Sequence, residues 1–295
     1  MTSIDPGPER VRLALNLLNP CRLCPRQCGV NRLAGETGFC GAGPVATVAS
    51  LGPHFGEEDC LVGAGGSGAI FLAGCNLCCA FCQNWDISRS VAGRQVDAAA
   101  MARLMLGLAA RGCENINFVT PTHVAPVLLE AIVEARRQGL GVPIVWNCGG
   151  YESAEMLRLL DGAVDIYMPD FKFIRSASAA RYCKAPDYPD VARASLREMR
   201  RQVGDLVIEN GVAARGLLVR HLVMPGGAGE SREILDFLAG VSPGTCVNVM
   251  GQYRPEGEVV DPRTRRQYAD IARRPTAEEV AEVRGYARRL GLRLA

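Results

Sequence analysis

Residues 69–82 read AIFLAGCNLCCAFC. An apolar run, 69–73, ends at Gly74; Cys75, Cys79 and Cys82 follow as C-x3-C-x2-C, with Phe81 just ahead of the last. A short run without polar alternation suits a strand buried on both faces, as in a parallel sheet. The glycine then lets the chain turn, and three thiols arrive on one loop. A fully protein-held [4Fe–4S] cluster takes four cysteines. Three leave one iron open to a small molecule, much as a catalytic zinc keeps an open position. Cys78 fits poorly, because pairing it with Cys82 leaves no third ligand. A zinc knuckle here would need Cys78 as its fourth ligand.

Outward from this loop the same pattern repeats. Apolar runs at 116–119, 144–146, 164–168, 217–224 and 247–250 alternate with stretches of helical periodicity. Met101, Leu104, Met105 and Leu108 share one helix face behind Asp97, a natural N-cap, and 124–135 carries a second such stripe. Ser153 and Ser231 are predicted to cap the next helices, and Thr276 with Glu279 fits a capping box ahead of Val280 and Val283. The fold class is α/β. Six strand–helix repeats, joined by right-handed crossovers, would wind into a barrel or a curved partial barrel. In such folds chemistry gathers where strands end and helices begin.

The N-terminal side reads differently. Residues 21–68 are rich in Cys, Gly and Pro and look loop-like. The chain has thirteen cysteines, an odd number, and its opening MTSIDPGPERVR lacks a signal peptide's apolar core. Clustered thiols then point to metal or chemistry rather than disulfides. Cys21, Cys24, Cys28 and Cys40 are predicted to form a second site, for zinc or an auxiliary Fe–S cluster, whose binding would also help fold the module. The motif Gly63–Gly68 fits G-x-G-x-x-G but precedes a strand instead of following one, so it reads as a flexible loop. His54, His123 and His221 read as structural or surface residues, and Cys113, Cys148, Cys183 and Cys246 as small core residues.

Composition closes off other classes. Lys+Arg 33 against Asp+Glu 31 leaves +2, which argues against a nucleic-acid-coating protein. A 48% hydrophobic and 22% charged chain is not disordered over most of its length. No apolar run approaches the ~20 residues of a membrane span. The expectation is a cytoplasmic protein with no nucleic-acid or membrane partner.

The cysteine spacing with Phe81, directly after a first strand, resembles the radical S-adenosylmethionine (radical SAM) superfamily. Within it, CNLCCAFCQNWDIS (75–88) is similar to the loop of pyruvate formate-lyase activating enzymes and their uncharacterised relatives. CRLCPRQCGVNRLAGETGFCG (21–41), NINFVTPTHV (115–124), MPDFKF (168–173), EMRRQVG (198–204) and VMGQYRP (249–255) resemble that relative group. The resemblance implies a partial (β/α)6 radical SAM barrel over 69–255, preceded by a Cys-rich metal module at 1–68 and followed by a helical tail at 256–295. It implies an oxidoreductase that binds SAM at the open iron and cleaves it reductively to abstract a hydrogen atom. An electron donor such as flavodoxin or ferredoxin would serve it. The activating enzymes act on a glycine of a partner protein; a small molecule or another peptide residue is the alternative target, and a non-catalytic metal scaffold or electron carrier the alternative of another class.

The resemblance also assigns SAM-binding residues. Asp170 and Lys172 match the family's Asp-x-Lys, Asn147 stands at its Asn-Gly turn, and Arg220 at its barrel arginine. Asn84 fits a Cys-x-Asn pattern, with Gln83 where the activating enzymes carry His. One departure stands out: where the family has Gly-Gly-Glu, this chain has Thr120-Pro121-Thr122-His123. Backbone carbonyls or the hydroxyls of Thr120 and Thr122 would replace the glutamate there, or Thr122 would simply help cap the next helix.

Overall fold

A computed structural model describes residues 7–295; the reading of residues 1–6 lies outside it. Its strands are Ala46–His54 (β1), Ser67–Leu72 (β2), Arg94–Val96 (β3), Asn115–Val119 (β4), Ile144–Cys148 (β5), Ile166–Pro169 (β6), Val207–Glu209 (β7), Val212–Leu222 (β8), Cys246–Met250 (β9) and Arg293–Leu294 (β10). They form one sheet in the order β10-β9-β8-β6-β5-β4-β2-β1-β3, with β7 paired to β8. From β2 through β4, β5, β6 and β8 to β9 and β10 every neighbour is parallel; β1 runs antiparallel to both β2 and β3. Each apolar run read from the sequence lies on one of the parallel strands β2, β4, β5, β6, β8 and β9.

A helix follows each of these six strands. Ala98–Ala110, Ala125–Arg137, Ala154–Leu160, the pair Ser176–Cys183 and Tyr188–Val203, Ala228–Val241 and Ala277–Arg289 return the chain to the next strand. The Asp97 carboxylate accepts from Ala100 N at 2.7 Å and Ser153 Oγ from Met156 N at 3.1 Å, and Thr276 with Glu279 forms a reciprocal capping box. Ser231 behaves otherwise. Its helix begins a turn earlier, at Ala228, and the buried Ser231 hydroxyl meets His221 Nε2 at 2.8 Å. The loop Pro225–Gly227 lets the helix start before the serine, whose side chain is better used on a buried histidine.

Alternation along the strands separates two faces. Ile116, Phe118, Trp146, Tyr167, Val219 and Val247 pack under the helices. On the opposite face Val145, Ile166, Met168, Leu218 and Cys246 meet Leu61, from the short helix Asp59–Val62 that lies across them. Burying Leu61 there contributes about 2 kcal/mol. The stretch 21–68 is therefore less loop-like than its composition implies: β1 joins the sheet, and the segment after it covers the sheet's second face. The glycine motif within it is pinned rather than flexible. Ala64 N and Gly65 N donate to the Glu114 carboxylate, and a Cβ at Gly65 would fall 1.8 Å from the Gly112 carbonyl oxygen. Among the described residues no helix is long and apolar enough to cross a membrane.

Candidate functional site

The cysteine loop leaves the C-terminal end of β2 at Gly74. Its φ of +88° suits glycine, and a Cβ there would press to 2.7 Å on the Cys40 carbonyl oxygen. Backbone and side-chain bonds then hold the loop. Gly74 N donates to Ile87 O at 2.8 Å, Ala80 N to Tyr182 O at 2.8 Å, and Asn76 Nδ2 to Tyr151 O at 2.8 Å. Arg26 Nε reaches Asn76 O at 2.9 Å, and Arg89 Nη2 reaches Cys78 O at 2.6 Å. Phe81 sits edge-on to Phe173 and Tyr253, with centroids 5.9 and 6.0 Å away.

The four cysteines of this loop divide in role. Cys78, in the left-handed region at φ 53°, points its thiol at the Cys75 carbonyl, 3.3 Å away. Cys75 accepts from Leu77 N at 3.3 Å, and the Asn84 amide bonds to the Cys82 sulfur. Cys79 lies 3.3 Å, sulfur to sulfur, from Cys183. Burial pushes the Cys75 thiol up to about 12, with Cys79 adding to it. The Cys183 hydrogen bond, followed by burial, pushes Cys79 well up, and burial raises Cys82. All three thiols are thus held toward their neutral form, which a bound cation would reverse.

Parallel pairing brings the C-terminal ends of β4, β5, β6 and β8 to the same end of the sheet as this loop. There Asp170 Oδ1 accepts from Arg220 Nε at 2.9 Å, and Lys172 Nζ stands 2.5 Å from Asp170 Oδ2. Arg220 Nη2 donates to Asn147 Oδ1 at 2.6 Å. Burial would raise Asp170, but Arg220 and Lys172 outweigh it and hold the carboxyl below its ordinary range. Burial alone would depress Lys172; Asp170 and then Cys79 hold it well above its ordinary value. A largely buried, charged triad thus faces the cysteine loop. Tyr188 braces it, accepting from Lys172 N at 2.9 Å.

Of the residues singled out in the sequence, Asn147, Asp170, Lys172 and Arg220 converge. Thr120 is beside them: its amide donates to Asn147 O at 2.9 Å, and its φ of 62° is unusual for a β-branched residue. Thr122 is turned elsewhere, its buried hydroxyl donating to Glu152 Oε1 at 2.5 Å. It does not cap the next helix, whose N-cap is Val124. The Asn84 side chain is exposed and makes no capping bond.

Several residues of the site escaped the sequence. Glu57, from the segment across the sheet, lies 3.7 Å from Arg220, and Glu58 accepts from Asn248 Nδ2 at 3.0 Å. Burial raises Glu57, with Arg220 opposing. Glu58 Oε2 and both amide atoms of Asn117 are buried without a hydrogen-bond partner among the described residues. The Asn115–Asn117 alternation within an otherwise apolar strand was the available signal for the last of these. Cys183 and the two glutamates offered none, because only the fold brings them near.

Glu152 gives a measurable consequence. It is fully buried; desolvation pushes its carboxyl up to about 7, against the pull of Thr122 and Cys148. Above the unfolded value of 4.5 the folded state still holds this proton and the unfolded chain does not. Stability is therefore fully present below about pH 4.5 and falls as pH rises toward about 7, by about 3 kcal/mol in all. Urea titrations across this range should show Glu152→Gln with a flatter profile than the parent. Parallel profiles would reject the assignment.

The radical SAM superfamily model matches residues 69–238. The chain belongs to the radical SAM superfamily. An uncharacterised protein of Methanocaldococcus jannaschii is 33% identical over 97% of this chain and 79% of its own. Among solved structures, a radical SAM methyltransferase from Sphaerobacter thermophilus superposes with a TM-score of 0.50 at 14% identity, over 77% of this chain and 65% of the other. This chain thus spans under two thirds of that enzyme, and the likeness is one of fold. Radical SAM proteins are enzymes, and membership implies a [4Fe–4S] cluster and SAM. The donor set fits the cluster: Cys75, Cys79 and Cys82 share a rigid loop, amides point at the sulfurs of Cys75 and Cys82, and Cys78 is engaged with backbone.

Proposed function

We propose that this chain is a radical SAM oxidoreductase of the pyruvate formate-lyase activating type, built as a partial (β/α)6 barrel. Cys75, Cys79 and Cys82 hold the [4Fe–4S] cluster and leave one iron open. Asn147, Asp170, Lys172 and Arg220 receive SAM. The supporting observation is the largely buried Asp170–Arg220–Lys172 triad at the strand ends that carry the cysteine loop. When bound, the cluster supplies one electron for homolytic cleavage of SAM, which arms it for hydrogen abstraction.

The chain's own residues do the positioning. Arg220, charged and largely buried, binds SAM's carboxylate while Asp170 fixes its direction. Lys172 favours the thiolate of Cys79. Backbone carbonyls around Thr120 take the part of the absent glutamate, since the Thr122 hydroxyl is committed to Glu152. Phe81, Phe173 and Tyr253 keep water from the back of the loop. A low-potential flavodoxin or ferredoxin supplies the electron, and the hydrogen comes from a glycine of a partner protein.

A second target is favoured by one observation. Glu58 and Asn117 present buried, incompletely partnered polar atoms on the covered face of the sheet, beside Glu57, which suits a small polar or cationic molecule. Oxygen-free protein with SAM and dithionite should form 5′-deoxyadenosine and methionine in equal amounts. An intact cluster that yields neither rejects the enzyme reading. A glycyl radical doublet in the EPR spectrum of a co-purifying protein supports the glycine target; uncoupled turnover stimulated by a small amine supports the other.

A further inference from the structure

We propose that Glu58 and Asn117 recognise the substrate inside the sheet's covered face, and that they take a small molecule carrying a primary ammonium next to an amide group. This deepens the second target named above and rests on the reading that SAM binds at the strand ends. Strand alternation puts Asn117, Asn147, Arg220 and Asn248 on the face that carries Val145, Leu218 and Cys246. Leu61 packs across the lower part of that face and floors it. Glu57 and Glu58 precede Leu61 and stand at the level of Arg220 and Asn248.

Two asparagines of one strand show which polar groups hold the floor and which are left for a ligand. Asn115 and Asn117 are both fully buried on the same face. Asn115 Oδ1 accepts from Ser67 Oγ at 2.7 Å, and its Nδ2 donates to Leu61 O at 2.7 Å. Both halves of that amide are spent on fixing the floor. Asn117, two residues nearer the strand end, has neither half paired among the described residues. A buried amide left unpaired costs stability. It is satisfied by a partner that offers one donor and one acceptor side by side, which is what another amide does.

Glu58 supplies the second contact. Asn248 Nδ2 holds its Oε1 at 3.0 Å, and its buried Oε2 has no hydrogen-bond partner among the described residues. The neighbouring cation is engaged elsewhere: Arg220 donates to Asp170 and Asn147 and lies 3.7 Å from Glu57. A carboxylate oxygen in that position is best met by an ammonium, since charge-assisted hydrogen bonds are the strong ones. Depth sets the size of the guest. The side chains of Glu57 and Arg220 keep 9% and 18% exposure and mark the mouth. Asn147 pairs with Val119, so Asn117 lies two residues below it, about 7 Å at ~3.3 Å per residue. Such a depth admits a few heavy atoms and excludes a folded loop.

Calorimetric titration of the reconstituted full chain, oxygen-free, with SAM and without dithionite, tests this with glycinamide as the probe. Propionamide replaces the ammonium by a methyl group, ethylammonium lacks the amide, and acetylglycinamide blocks the amine as an internal glycine would. Glycinamide should bind at least about tenfold more tightly than each of them. Glu58→Gln, which keeps an oxygen for Asn248, should cancel the advantage over propionamide. Asn117→Leu, of similar size, should cancel the advantage over ethylammonium. Its urea midpoint should not fall, because the change removes an unpaired buried amide. A lower midpoint with unchanged binding would make Asn117 structural and overturn the proposal. So would equal binding of all four compounds, a preference for acetylglycinamide, or no binding of glycinamide at millimolar concentration. Selective binding without SAM cleavage by the parent would sink the enzymatic reading and leave this site standing; SAM cleavage without selective binding would do the reverse.

Discussion

Alanine at Cys75, Cys79 or Cys82 is expected to reduce 5′-deoxyadenosine formation to background, whereas Cys78→Ala and Cys183→Ala stay within about threefold of the parent, under half the ~1.4 kcal/mol that a tenfold change represents. The asymmetry follows from where the sulfurs point. Cys78 spends its thiol on the Cys75 carbonyl, in a left-handed backbone position that turns it from its neighbours. Cys183 touches Cys79 but arrives from the end of the helix Ser176–Cys183, outside the loop. If it served as a fourth ligand, no iron would remain open. Product analysis by mass spectrometry on reconstituted variants reads the result. Parent-like turnover by any of the first three variants, or loss of turnover in Cys183→Ala with full iron content, would defeat the three-thiolate assignment.

Asp170→Ala should be the most destabilising single change in the site. It strips the shared carboxylate from two largely buried cations, Arg220 and Lys172. Breaking a buried pair from one side typically costs about 3–5 kcal/mol, because the remaining charge is left desolvated. Lys172→Met should cost less, since Asp170 keeps Arg220 as its partner. Urea unfolding of the two variants, both freed of iron, compares them. An Asp170→Ala loss below about 1 kcal/mol, the range of exposed pairs, would mean that the triad is hydrated and not buried. In the loaded enzyme the same variant should raise the SAM concentration needed for half-maximal cleavage, because Arg220 loses its fixed direction.

Much of the architecture was legible because buried parallel strands leave an unmistakable trace. Both faces must be apolar, so the six runs from 69–73 to 247–250 stand out, and the helical stripes between them fall at the right distances. Caps were legible where a side chain serves its own helix, as at Asp97, Ser153 and Thr276. Ser231 was misread because its hydroxyl serves His221, a partner on another element. β1 and the segment after it were hidden by their glycines, which composition alone reads as loop.

The cysteine loop is a local feature of the chain. Three thiols within eight positions after a buried strand are placed together whatever the rest of the chain does, and the sequence by itself determined that much, along with the α/β class. The surroundings are non-local. Asp170, Arg220 and Asn147 meet because parallel pairing aligns the ends of distant strands. Thr122 is lost to that group because a buried glutamate claims its hydroxyl, and Glu57 joins it because a segment far upstream crosses the sheet. Such contacts depend on distances between residues that sequence separation does not encode, so only the tertiary structure could decide them.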